Sequence, residues 1–143
     1  MAGTSKKRSD TGWVAVAACP VDVLKRLWFL PEKRRQARGF LTSRELKTIF
    51  ERKNAFERMG ARIAAKRALF FLLRRFGFPH PLSWREMEVC HEPSGKPCVV
   101  FKNTFLNKYL RHHGIRVSIS LTHCERMAMA AVWMRSLLPK VVS

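Results

Sequence analysis

Arg58, Arg62 and Lys66 recur every four residues among good helix formers, so they are expected along one face of a helix. Cations in such a row can be presented to an anion. The same pattern also fits a core helix whose charged edge faces water, and periodicity does not separate the two. Gly95-Lys96-Pro97, in a turn between two apolar runs, reads as an ordinary hairpin. The four cysteines, Cys19, Cys90, Cys98 and Cys124, have no CxxC spacing, which argues against structural zinc. Cys90 and Cys98 flank a turn and could face each other, but four thiols in a reducing compartment is the preferred reading. His112 and His113 would diverge on a helix and make a poor metal pair.

Elements of ordinary composition must position these groups. The chain has 143 residues, 47% hydrophobic and 27% charged, which fits one globular domain with a core. Its 28 Lys and Arg against 10 Asp and Glu give a net charge of +18. A field of that sign favours polyanions: nucleic acid, anionic lipid, a phosphorylated cofactor or an acidic protein. No run is long enough to span a membrane, and the apolar stretch before Cys19 is too short for a secretory signal.

Residues 1–11 read as a basic, disordered leader, and residues 12–143 as a single domain. Val14–Cys19 reads as a buried strand ended by Pro20. Val21–Leu30 has helical spacing, and Pro31–Arg38 is basic and of open structure. Thr42 followed by Glu45 fits a capping box. Asn54 is the expected cap of a long helix that runs toward Phe78 and is buried on most sides at Ala68–Leu73. Trp84–Cys90 and Cys98–Phe101 read as a hairpin, Thr104–His113 as a helix, and Val117–Thr122 with Met127–Trp133 as two further strands. The order predicts an α+β fold, an antiparallel sheet packed around one long helix.

Several segments then line up in order: Val14–Leu27, Phe40–Leu46, Arg62–Leu69, Gly95–Pro97, Ile119–His123 and Ala128–Val132. With Ala-Ala-Lys66-x-Ala, Gly-Lys-Pro and Ser-Leu-Thr-His123, the chain resembles the holo-acyl-carrier-protein synthase type of 4′-phosphopantetheinyl transferase over most of its length. The resemblance implies transfer of 4′-phosphopantetheine from coenzyme A to a serine of an acidic acyl carrier protein. It also implies Mg²⁺ held by carboxylates, a homotrimer with sites between subunits, and a cytoplasmic location. It assigns Lys66 and Arg67 to catalysis, and Arg62, Lys66, Gly95, Lys96, Pro97, Ser120, Thr122 and His123 to coenzyme A. Arg26 and Lys33 fall to the carrier protein.

The chain departs from that family at its metal positions. Where the family has Lys-Glu, this sequence has Lys66-Arg67. Counting back from Leu24-Lys25-Arg26-Leu27 without a gap puts Pro20 at the family's aspartate. A two-residue gap brings Asp22 there as the metal ligand instead. Three readings stay open: an active transferase, a pseudoenzyme that keeps coenzyme A or carrier binding, and a nucleic-acid-binding protein. The charge supports the last, but no nucleic-acid motif accompanies it, and Trp13, Trp28, Trp84 and Trp133 sit mostly in apolar segments.

Overall fold

The computed structural model describes residues 7–9 and 12–136. Strand β1 (Lys7–Ser9) is followed by β2 (Gly12–Pro20) and three short helices, α1 (Val21–Trp28), α2 (Pro31–Gly39) and α3 (Ser43–Phe50). The long helix α4 (Ala55–Arg75) comes next, then the hairpin β3 (Met87–His91) and β4 (Pro97–Phe101). Helix α5 (Thr104–His112) and strands β5 (Ile115–His123) and β6 (Met127–Ser136) complete the chain. The antiparallel sheet has the order β1-β2-β6-β5, and β3-β4 pair separately. The predicted α+β architecture is present. The expected leader is corrected at Lys7–Ser9, which pairs with β2; the remainder of residues 1–11 and residues 137–143 lie outside the described residues.

Helix α4 packs on the sheet because the facing residues are small. A Cβ added at Gly60 would stand 3.0 Å from the Ala128 Cβ and 3.7 Å from the Cys19 Sγ. On β2 the inward positions Ala15, Ala17 and Cys19 are buried, as the alternation of a strand requires. Ala64, Ala68, Leu69 and Leu72 continue the contact as part of the core. Pro31, at the start of α2, has its φ preset for a first turn, which makes a helix of the basic stretch left open by its sequence.

Asn54 corrects one expectation. It precedes α4 in the left-handed conformation, with φ 63°, and its side chain makes no cap hydrogen bond. Asparagine tolerates that conformation. Its carbonyl accepts the Arg58 amide N–H at 3.1 Å. Cys90 and Cys98 are directly opposed across the β3-β4 hairpin, both free, with sulfurs 3.1 Å apart. Burial first, then the neighbouring thiol, pushes Cys90 up to about 11.

Candidate active site

The predicted capping box forms, and it is buried. Thr42 Oγ1 accepts the Glu45 amide N–H at 3.1 Å, and Glu45 Oε1 accepts the Thr42 amide N–H at 2.8 Å. The same carboxylate accepts from the Lys66 ammonium at 2.6 Å, and its other oxygen accepts from the Val89 amide at 2.8 Å. Lys66 Nζ also donates to the carbonyls of Phe40 at 2.7 Å and Trp84 at 3.0 Å. An ammonium has only three N–H groups, and all are used. Lys66 is 0% exposed. Burial pushes its pKa down, and the Glu45 charge and hydrogen bond oppose that.

The expectation that Lys66 faces the phosphates of coenzyme A is therefore corrected, since its donors are taken within the protein. Position 66 faces α3 and the loop before β3, where it ties three elements together. Glu88 extends the cluster, accepting from Thr42 Oγ1 at 2.8 Å and from the Lys102 ammonium at 2.9 Å. Burial pushes Glu88 up, but its hydrogen bonds from Lys102 and Thr42 and the charges of Lys102 and Arg44 hold it below the usual carboxylate range.

Beside this cluster lies a groove of about 740 Å³ whose walls include Arg44, Arg52, Arg58, His91 and His123, with Gly95 at the hairpin turn. Gly95 has φ +90°, and its N–H donates to the Glu92 carbonyl at 2.8 Å. That is the left-handed position of a three-residue hairpin loop, which glycine fills without strain. Lys96 is exposed in this turn, and Pro97 opens β4. His123 Nδ1 is 2.8 Å from Glu57 Oε2. His91 is held below the ordinary histidine range by burial and by the charges of Arg62, Arg58 and Arg52.

Arg62 stands out. It is 1% exposed, and its Nη1 donates to the Arg58 carbonyl at 3.4 Å, a long contact. Its Nε and Nη2 have no acceptor among the described residues. Burial pushes its pKa down first, and the Glu45 charge opposes; a guanidinium still remains charged in a protein. Unsatisfied buried donors on a cation call for an anionic acceptor.

A second cavity, of about 360 Å³, lies where the end of β2 meets α1, α2 and α4. Leu24, Leu27, Ala37 and Ile63 give it apolar walls; Lys33 and Arg67 bring two cations. Arg67 acts electrostatically on the Cys19 thiol, whose pKa is raised on balance because burial outweighs that charge. Arg62 and Arg67 are five positions apart on α4, so they point about 140° from each other. No residue lines both the groove and this cavity.

The Mg²⁺ implied by the resemblance does not fit these residues. The β2-β6 pairing ends at Pro20↔Met127, so Pro20 closes the strand and Asp22 lies beyond it in α1. Pro20 is the N-cap of α1 and lines the cavity with Arg67. Asp22 is exposed in the first turn of α1 and does not line it, which corrects its reading as a ligand. No lining residue is a carboxylate, and no group of three or more His, Cys, Asp or Glu among the described residues could hold a metal. Oxygen-rich, anionic donors are what Mg²⁺ requires.

Ser120 and Thr122 are also not brought to the groove. They are exposed, while Ile119 on the alternate face of β5 is buried against the core. Across the strand pair they stand opposite Ala131 and Met129. Arg26 is exposed on α1. The sequence reading missed Arg44, Arg52 and His91. The two arginines sit among many other charges, and His91 looks like a turn residue until the hairpin folds it toward α4.

No family model matches the chain. Curated relatives do. A holo-[acyl-carrier-protein] synthase of Koribacter versatilis is 33% identical over 91 residues, covering 64% of this chain and 72% of that protein. One of Chlorobium limicola is 32% identical over 93 residues, covering 65% and 71%. Among solved structures, the holo-[acyl-carrier-protein] synthase of Neisseria meningitidis superimposes with TM-score 0.70 at 25% identity, over 86% of this chain and 97% of that one. A Chronobacterium ammoniagenes structure in complex with CoA gives TM-score 0.74 at 18% identity, over 89% and 98%, a likeness of fold. The superposition and the identity over most of those relatives' length lead to one assignment: the chain belongs to the holo-[acyl-carrier-protein] synthase family of 4′-phosphopantetheinyl transferases.

Proposed function

We propose that this chain moves 4′-phosphopantetheine from coenzyme A to a serine hydroxyl of an acyl carrier protein. The serine oxygen bonds to the phosphorus that carries pantetheine, the diphosphate linkage breaks, and adenosine 3′,5′-bisphosphate leaves. The observation that carries this reading is Arg62, buried with two unsatisfied donor nitrogens beside a groove walled by Arg44, Arg52 and Arg58. A phosphate of the nucleotide end supplies the missing acceptors. Gly95 and His123 line the same groove, and Lys96 and Pro97, next to Gly95 in the chain, contact the nucleotide with them. Lys66 acts by holding α3, α4 and β3 in place, not by touching substrate.

The carrier protein docks on α1 and α2. Val23, Leu27, Phe29 and Leu30 are exposed there, with Lys25, Arg26 and Lys33 around them. Apolar residues ringed by cations suit an acidic amphipathic helix. The free cysteines suit the cytoplasm, where coenzyme A and thiols coexist. No described helix is long and apolar enough to cross a membrane.

Groove and cavity face away from each other on α4, so one substrate reaches both only if two copies share a site. Met127, Met129 and Trp133, each more than a third exposed, give the sheet an apolar outer face alongside Ser120 and Thr122. Burying that face in a homotrimer brings the groove of one copy to the cavity of the next. Arg58→Glu and Arg67→Gln chains are then each inactive alone. Refolded together at equal amounts into random trimers, they restore about a quarter of wild-type activity, because each mixed trimer rebuilds one site. A mixture as inactive as its components would rule the shared site out.

The transfer itself is tested by incubating the protein with coenzyme A and an apo carrier protein and weighing the carrier. A carrier gaining the phosphopantetheine mass supports the transferase. Pro20 and Arg67 at the family's carboxylate positions favour a second reading, in which coenzyme A binds and nothing is transferred. That reading predicts binding by calorimetry with no change in carrier mass.

A further inference from the structure

We propose that Arg67, with Lys33, takes the place of a divalent cation at the diphosphate of coenzyme A, so that this chain binds its cosubstrate without metal. The inference rests on the coenzyme A reading above and adds the chemistry of its charge neutralisation.

The backbone leaves little freedom for another arrangement. Strand β2 is paired with β6 through Pro20, and α4 runs without a break from Ala55 to Arg75. Pro20 and Arg67 thus face one cavity by register, not by side-chain choice. Neither can ligate Mg²⁺: proline has no side-chain donor, and a guanidinium repels the ion. Cys19, next to them, is buried at 6% exposure and suits no hard cation.

What the cavity offers instead is positive charge in want of a partner. Neither Arg67 nor Lys33 has an ion-pair partner among the described residues. Each supplies one charge, which matches a diphosphate diester with one negative charge on each phosphorus. The guanidinium fork holds two phosphate oxygens at once, and the ammonium serves as a mobile point charge. Leu24, Leu27, Ala37 and Ile63 form low-dielectric walls behind them, where an ion pair is worth more than in water. Arg67 itself is exposed, so it reaches the mouth of the cavity without repacking the core.

The test separates the diphosphate from the nucleotide. Coenzyme A and adenosine 3′,5′-bisphosphate, which lacks the diphosphate, are titrated by calorimetry into wild type and into R67Q, R67K and K33Q, with EDTA or with Mg²⁺. Wild type is expected to bind coenzyme A equally well in both buffers. R67Q should weaken coenzyme A about tenfold or more, a lost charge-assisted contact, and leave the bisphosphate unchanged. R67K should fall between, since charge survives and the fork does not. Thermal melting of R67Q at the wild-type midpoint confirms that the fold is kept. Coenzyme A binding that requires Mg²⁺, or an R67Q affinity equal to wild type, overturns the inference while the coenzyme A reading stands. A wild type that binds neither ligand removes both.

Discussion

Lys66→Ala should unfold this protein before it affects any ligand. Its ammonium is 0% exposed and donates to Glu45 at 2.6 Å, to the Phe40 carbonyl at 2.7 Å and to the Trp84 carbonyl at 3.0 Å. Removing it leaves the Glu45 carboxylate charged, buried and without its cation. Breaking one side of a buried pair costs about 3–5 kcal/mol. Domains of this kind are stable by only about 5–15 kcal/mol, so the loss is a large fraction of the whole. At roughly 2–4 °C per kcal/mol, the midpoint should fall by about 6–20 °C. Urea unfolding followed by tryptophan fluorescence measures the loss. Lys66→Met with Glu45→Leu, which removes both charges and keeps volume, should be closer to wild type than the single changes add up to. A Lys66→Ala protein with an unchanged midpoint and lost coenzyme A binding would refute the reasoning. It would mean that Lys66 leaves its pocket to meet the ligand.

Three further outcomes follow from the same geometry. Burial first, then the charges of Arg62, Arg58 and Arg52, hold His91 below the ordinary histidine range, and a bound phosphate offsets those charges and raises its pKa. Coenzyme A affinity should therefore rise as pH falls and His91 takes up a proton; calorimetry in buffers of different ionisation enthalpy should show proton uptake, absent in His91→Ala. Glu88 has a depressed pKa, so its contribution to stability is present above its ordinary value of 4.5 and is lost as pH falls through its lower folded value. Acid titration of Glu88→Gln should lack that step. Cys124 is exposed, while Cys90 is pushed to about 11, so iodoacetamide at pH 8 should label Cys124 first, as peptide mapping would show.

The elements were readable where their signals are local. Thr42 and Glu45 announce a helix start by residue type and spacing, and the box forms as written. The alternation of β2 and the small residues of α4 likewise need only neighbours in the chain. The site was less readable because a cation looks the same whether it faces water, an anion or a buried carboxylate. Arg58, Arg62 and Lys66 share one helical face, yet they meet three environments: Arg58 is half-buried and walls the groove, Arg62 is buried with unsatisfied donors, and Lys66 is saturated in the core. What separates them is α3 and the loop before β3 crossing that face at position 66. Those contacts join residues 18 to 26 positions apart, beyond the reach of periodicity. The same holds for Ser120 and Thr122. Strand alternation puts both on one face, but only the placement of α4 decides which face is outside.

Pro20 and Arg67 show the opposite case, in which the sequence spoke and the fold decided its meaning. Asp22 stayed open as a ligand while a gap in the alignment was allowed. The fold puts Pro20, where the β2-β6 pairing ends, in the lining of the cavity with Arg67, and leaves Asp22 exposed outside that lining. The family's fold is kept, and no carboxylate lines this cavity. A chain under no demand to hold an anion there would gain nothing from placing unpaired cations at the mouth of an apolar cavity, where they repel each other. Lys33 and Arg67 stand there together, and an anion relieves that repulsion as directly as a metal would have relieved the charge of two carboxylates.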